Sequence, residues 1–301
     1  MESMVAKVIQ IILFPILALI TGVFFLGLGR KIMARIHWRY GPPLIQPVID
    51  MIKLFYQKSA SHGRMFDLGI VFSLAGSIVV VLFLPFGRIA PLSSTGGLLV
   101  ILYIMLLAPL GLALSGGQGA NPNISIGISR KLILSLGYEV PLLLILLAIM
   151  THYKTISIME VVSVQQNTSW SIISFPLFLS GFSYFLILPA ILGIRPFDVI
   201  SAPQEISSGP MAEYGGKYLA LATIEHAFIL FISIALFVDL FLGGAANPAL
   251  FFLKMLVVFV LSLFIHAVLP RLRIEQAIKY LWKWPTVLAF LGLIIAMVVR
   301  S

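Results

Sequence analysis

The sequence predicts an all-α, polytopic membrane helix bundle, and three observations carry that prediction. Of 301 residues, 60% are hydrophobic and only 10% charged, against roughly 25% charged in an ordinary soluble domain, so lipid is the main solvent. The apolar residues come in eight runs of about 20, the length that takes a helix across a ~30 Å hydrocarbon layer. The charged residues gather between the runs, above all in "RPFDVISAPQEISSGPMAEYGGK" at 195–217, which holds three carboxylates and two cations.

The runs lie at roughly 8–29, 68–87, 97–115, 132–151, 172–194, 218–242, 249–269 and 285–300. The first is longer than the apolar part of a signal peptide and lacks a small-residue cleavage site, so it counts as a membrane helix. Residues 1–301 then read as a single transmembrane domain. No stretch is left for a soluble domain of the usual ~100 residues, so redox or nucleotide chemistry is expected on a partner. Cysteine is absent, which excludes disulfides, thiolate-bound iron-sulfur clusters and a thiol nucleophile within this chain. Phosphate-binding glycine loops, HExxH and G-x-S-x-G are also missing.

Eight crossings put the loops after the odd-numbered spans on one side, with 15 of the 20 lysines and arginines. Lys7, Arg88, Lys154 and Arg300 fall on the other side, and Lys254 lies inside the seventh span. The positive-inside rule places the charged loops in the cytoplasm and both termini outside. It also accounts for the net charge of +9 without nucleic acid as a partner.

Between the first two spans, 41–64 carries Ile45, Val48, Ile49, Ile52, Phe55 and Tyr56 at helical spacing, with Gln46, Asp50, Lys53 and Gln57 interleaved. This predicts an amphipathic helix lying in the membrane interface, or an ordinary surface helix with a local Asp50–Lys53 pair. In 195–217, three prolines and several glycines argue against a continuous helix. Its Phe197, Val199, Ile200, Ile206, Met211 and Tyr214 suit a loop folded into a cavity or under a partner, where Arg195, Asp198, Glu205 and Glu213 pair.

Glu139 stands eight residues beyond Lys131, about 12 Å along a helix, and Glu225 a similar distance beyond Lys217. With Glu213 they suit a proton relay; a neutral acid joining two helices by a hydrogen bond is the plainer alternative. His226 and His266 read as packed or interfacial histidines, not metal ligands. Asp239 and Lys254 are placed to form a salt bridge, unless Lys254 snorkels outward. The basic segment 270–283 is a topology anchor or a dock for an acidic partner. No internal repeat or inverted pair of broken spans is visible, which disfavours a stand-alone cation transporter.

Four motifs together resemble the membrane subunit that joins the redox arm to the membrane arm in respiratory complex I, in membrane-bound nickel-iron hydrogenases and in related archaeal complexes. They are Gly41, Pro42, Leu44, Gln46, Pro47, Asp50, Lys53 and Leu54; the Tyr138–Glu139 pair; Pro196, Phe197, Asp198, Glu205, Gly209, Glu213 and Tyr214 in one ungapped loop; and Pro270, Arg271, Arg273, Glu275, Gln276, Trp282 and Lys283. Ser201 and Pro203 replace two acids of the quinone-reducing relatives, and Glu225 meets the next membrane acid one residue out of register. The pattern is closer to the hydrogenase and sulfur-reductase branch.

The resemblance implies a coupling subunit in a prokaryotic cell membrane, in an ion-translocating nickel-iron hydrogenase or in a sulfur- or quinone-reducing complex. Coupling residues would be Glu139, Asp198, Glu205, Glu213 and Glu225, and the arm would rest on Asp50, Lys53, Arg195, Arg271, Arg273 and Lys283. The chain would hold no cofactor or metal. The nickel-iron centre and iron-sulfur clusters would sit on soluble catalytic and iron-sulfur subunits at the cytoplasmic face, with antiporter-like subunits alongside in the bilayer.

Overall fold

The computed structural model describes residues 4–87, 91–92, 97–119 and 121–300; Arg88, counted above among the cations of the weakly charged side, lies outside them. Eight helices are long and apolar enough to cross a membrane. In chain order the helices are α1 (Met4–Ile36), α2 (Gln46–Tyr56), α3 (Arg64–Phe83), α4 (Leu98–Met105), α5 (Leu107–Gly116), α6 (Pro122–Tyr153), α7 (Ile158–Asn167), α8 (Phe175–Leu192), the short α9 (Pro203–Ile206), α10 (Lys217–Phe241), α11 (Pro248–Val268) and α12 (Ile274–Arg300). Among the described residues there is no strand, and an antiparallel bridge joins Gly97 and Ser157.

Contacts between connections define two ends. At the charged end Leu272 donates its N–H to the Pro196 carbonyl (2.9 Å) and Gly216 lies against the backbone of Gln57 and Lys58. At the other, Leu98 donates to Ile156 (2.9 Å) and Ile172 to Phe241 (3.1 Å). The central element is α10, buried along almost its whole length against α1, α2, α3, α7, α8 and α11. Aromatic rings fill the spaces around it, with Phe231 edge-on to Phe14 at 6.2 Å and Tyr184 against Phe237 at 5.4 Å.

Proline chemistry explains where the helices depart from the runs in the sequence. The third span, expected as one helix, breaks between α4 and α5 at Leu106. Pro109 has no N–H for the Met105 carbonyl, and its ring crowds that turn. The eighth span starts at Ile274, eleven residues before the expected 285. Its first turn is closed by the Gln276 Oε1, which accepts from the Arg273 N–H (3.1 Å), one half of a capping box. Pro285 then sits in mid-helix, and the Leu281 carbonyl that it leaves open accepts from the Thr286 hydroxyl (2.9 Å), a repair that proline needs inside a membrane helix.

The fourth span likewise begins ten residues early, at Pro122, because the Asn121 side chain caps it by accepting from the Asn123 N–H (3.0 Å) with proline at the first helical position. At 32 residues, α6 is about 48 Å long. Lys131 is therefore not a loop cation marking the membrane boundary; it stands inside a helix. At the weakly charged end, α7 was not expected: a short helix that buries Ile158, Val161, Val162 and Gln165.

Candidate functional site

The 195–217 segment folds back beneath its own ends instead of spreading into solvent. Phe197, Val199, Ile206 and Tyr214 are all buried, the Phe197 ring lying 5.7 Å from that of Tyr280. Asp198 accepts from the Arg271 guanidinium (2.8 Å) and from the Ser201 hydroxyl, which ties the loop to the start of α12. Arg130 of α6 bonds Glu205 at 2.9 Å and Glu213 pairs with His62 Nε2 at 3.1 Å. Ser207, Ser208 and Gly209 are three consecutive residues with positive φ, and a Cβ on Gly209 would meet the Ile200 carbonyl oxygen at 2.5 Å. The chain can reverse there only with glycine at the point of closest approach. Beyond it Tyr214 packs on Phe66, ring centroids 5.4 Å apart, and burial pushes its phenol above the usual range.

Arg271→Met removes the charge-assisted half of the Asp198 anchorage, a bond of the kind that contributes ~1.5–3 kcal/mol. Amide hydrogen exchange across 196–206 is expected to speed up about tenfold or more, with exchange in α10 unchanged. Equal rates in the variant and the parent would show that the staple does not hold the loop.

Below the loop lies a chamber of about 230 Å³. Asp198, Ser201, Pro210 and Met211 of the loop close it on one side, and Lys131 of α6 with Glu225 and His226 of α10 line it within the bundle. Glu225 is 2% exposed and accepts from the Ser73 hydroxyl of α3 (3.3 Å), which also donates to the Ala108 carbonyl (2.9 Å). Lys131, Ile191 and Ile229 also form a wall of a smaller cavity of about 20 Å³, lined further by Ser77 and Tyr138. That is room for roughly one water molecule. Polar groups thus run from the loop, through a buried carboxylate and a half-buried lysine, to a tyrosine inside the bundle.

The structure brings Asp198 and Glu225 to one chamber. Glu213 is outside its lining residues, paired with His62, and Glu205 is half-exposed on Arg130. Glu139 is half-buried one residue past Tyr138, outside the walls of both cavities. Asp50 accepts from Gln46 (2.8 Å) and Arg30 (3.1 Å); these hydrogen bonds, Gln46 foremost, hold its carboxyl below the usual range. Lys53, Arg195 and Arg273 are exposed. Lys283 is nine residues into α12, about 14 Å from its start, with its ammonium over the Trp284 ring at 5.1 Å.

His266 accepts from the Arg195 N–H through Nδ1 (2.8 Å). The bridge expected between Asp239 and Lys254 does not form within ion-pair distance. The Lys254 ammonium donates instead to the carbonyls of Leu242 (2.6 Å) and Gly244 (2.5 Å) and covers the Trp170 ring at 4.8 Å. Both carbonyls lie in the turn just past α10, whose own end carbonyls at Asp239, Leu240 and Phe241 accept from Gln165 Nε2 and the Ile172 N–H. Among the described residues no group of three or more His, Asp or Glu stands together to hold a metal ion.

Sequence reasoning missed Lys131 as a wall residue of the chamber and Ser73 as the hydrogen-bond partner of Glu225. It also missed the pair formed by the Tyr218 hydroxyl and Asp67 (2.5 Å), which Ser61 extends at 2.8 Å. For Lys131 the missed signal was the Asn121–Pro122 helix start. For Ser73 it was a four-residue spacing with Ser77 in an otherwise apolar run, a polar edge on one helix face.

A family model described as NADH dehydrogenase matches residues 8–297. The chain is 31% identical over 294 residues to one of the subunits of the NADH-quinone oxidoreductase of Protochlamydia amoebophila, covering 89% of each chain. It is 33% identical over 267 residues to hydrogenase-4 component C of Escherichia coli K12, covering 82% of each. Among solved structures, it superposes with a TM-score of 0.93 on a chain of the membrane-bound sulfane sulfur reductase, an archaeal respiratory membrane complex, at 37% identity over 98% of this chain and 100% of that one.

Proposed function

The chain belongs to the NADH dehydrogenase family, as a membrane subunit of complex I-like complexes, and from that premise we propose that it couples electron transfer in a peripheral arm to ion translocation. In this reading the charged end is cytoplasmic. The arm rests on the exposed Lys53 and on the ion-paired Asp50 and Arg271, and the 195–217 loop lies under it. A charge change in the arm shifts the Arg271–Asp198 and Arg130–Glu205 pairs, and the loop passes that shift to the chamber. Glu225 then exchanges its ion, with Lys131 and Tyr138 continuing the route toward Glu139 and the neighbouring membrane subunits, antiporter-like ones among them.

The observation that carries the reading is the chamber itself, whose walls join Asp198 of the loop to the buried Glu225. A carboxylate in a span is costly unless it faces a hydrated interior or a partner, and Glu225 has a chamber with room for water, a serine and a facing lysine. Ser201, a serine where quinone-reducing relatives carry an acid, already spends its hydroxyl on Asp198. That supports an acceptor on a soluble subunit over a quinone in this chamber.

Two terminal reactions fit. A nickel-iron hydrogenase is the first, supported by the likeness to hydrogenase-4 component C. Sulfur reduction is the second, favoured by the likeness to the sulfane sulfur reductase chain. In both, the metal centres belong to partner subunits.

Metal analysis of the intact complex, extracted in mild detergent through a tag on this chain, separates them. Nickel and iron together support the hydrogenase, and iron without nickel supports a sulfur- or quinone-reducing complex. A chain that purifies with neither metal nor partner subunits would overturn the coupling role and revive the stand-alone transporter.

A further inference from the structure

A second large cavity, of about 360 Å³, opens at the charged end where α8, α11 and α12 converge. It shares no lining residue with the Glu225 chamber. Leu186 and Pro189 of α8, Phe197 of the loop, Ile265 and Leu269 of the α11 end and Tyr280 of α12 form most of its wall, and no charged side chain enters it. Leu186 is six residues inside the end of α8 and Ile265 three inside the end of α11, so the cavity reaches about 5–9 Å down from the helix ends. At that depth a lipid passes from headgroup to hydrocarbon.

Its rim is basic and held by backbone bonds. The Leu272 N–H to Pro196 carbonyl bond (2.9 Å) sets Arg195 beside the Arg271–Arg273 segment, and the His266 acceptor fixes the Arg195 backbone from the other side (2.8 Å). Arg271 is committed to Asp198. Arg195 and Arg273 are exposed, and among the described residues neither has a carboxylate within ion-pair distance. Exposed Lys279 and Glu275 complete the rim, so four cations face two acids, one of them already paired. Below the rim, Leu253, Val257, Leu261, Phe264 and Val268 are exposed at steps of four, four, three and four along α11, an unbroken apolar track down the helix.

We propose that this cavity is a binding site for one anionic phospholipid of the leaflet at the charged end, its phosphate between Arg195 and Arg273 and one hydrocarbon chain seated between α8 and α11. Hydrocarbon contact alone would not distinguish a bound lipid from the bulk, since lipid tails are as apolar as the cavity wall. The selectivity comes from the guanidiniums, whose planar donor sets match phosphate oxygens. The site rests neither on the coupling role nor on which side is cytoplasmic.

The test is the lipid content of the complex, purified in mild detergent through a tag on this chain, measured by mass spectrometry. Parent, Arg195→Gln/Arg273→Gln and Leu269→Trp are compared. The parent is expected to keep about one anionic phospholipid per chain through delipidating washes. The charge variant should lose it at least tenfold more readily, and the tryptophan, by filling the cavity, should exclude it. A parent with no retained anionic lipid, because a partner subunit covers the cavity, overturns the proposal; so does full retention in both variants.

If the variants fail to assemble, the parent is reconstituted in phosphatidylcholine vesicles containing a small fraction of brominated phosphatidylglycerol. Quenching of the exposed Trp282 and Trp284 on α12, within a turn of Tyr280, should exceed that by the same fraction of brominated phosphatidylcholine at least threefold. Equal quenching also overturns the site.

Discussion

Glu225→Gln is expected to leave the complex assembled and its catalytic reaction running while ion uptake by vesicles falls at least tenfold. The substitution keeps size and keeps an oxygen for the Ser73 hydroxyl, now at 3.3 Å from the carboxylate, so the α3–α10 contact survives. What disappears is the buried carboxylate on the bundle side of the chamber, a group that can alternate between a bound cation or proton and a free negative charge. Lys131 loses the charge facing it across the chamber. Because it is only half-buried and not within ion-pair distance, its cost is about 1–2 kcal/mol, below the range for breaking a tight buried pair.

The double variant Lys131→Met/Glu225→Gln should recover that stability without recovering transport. A double-mutant cycle therefore separates the electrostatic role from the coupling role. Undiminished proton or sodium uptake in Glu225→Gln, at the parent's rate of electron transfer, would remove Glu225 from the mechanism.

Gly111→Val should cost more in stability than any surface change. A Cβ on Gly111 of α5 would lie 2.5 Å from the Ser73 nitrogen and 2.6 Å from the Gly69 oxygen of α3, and one on Gly69 would lie 2.4 Å from the Ser115 nitrogen. These are backbone atoms, so no rotamer change relieves the overlap; the two helices must separate. Close approach at small residues drives helix association in lipid, and overpacking a fitted core typically costs ~1–3 kcal/mol even where side chains can yield. The expected loss here is more than about 3 kcal/mol, seen as a lower melting temperature in detergent and poor recovery of assembled complex. The seam also carries the Ser73 hydroxyl between Ala108 and Glu225, so surviving protein should couple poorly. Gly215→Ala is the control: nothing lies within 4 Å of a Cβ there. Equal stability of the two variants would show that the α3–α5 approach is not close in the membrane.

The charge of 195–217 was legible because charged groups are scarce elsewhere, and its interleaved apolar residues already indicated a covered loop. The partners of its acids were not legible. Arg271, Arg130 and His62 come from three other segments 73, 75 and 151 residues away in the chain, a separation that carries no periodic signal. Lys254 shows the same limit. Asp239 looked like its partner by charge and depth, yet the carbonyls of the turn just past α10 took the ammonium.

Composition and run length by themselves determined the all-α membrane class and the eight crossings, because a backbone in hydrocarbon has no economical alternative to saturating its hydrogen bonds within a helix. Only the tertiary structure decided that Lys131 faces Glu225, that Glu139 stands outside the chamber and that Pro285 lies in mid-helix. The helix bounds depend on local caps and on a proline repair by a neighbouring hydroxyl, which run length alone overlooks; the facing of Lys131 and Glu225 depends on which helix faces meet, a contact between residues far apart in the chain that local pattern does not encode.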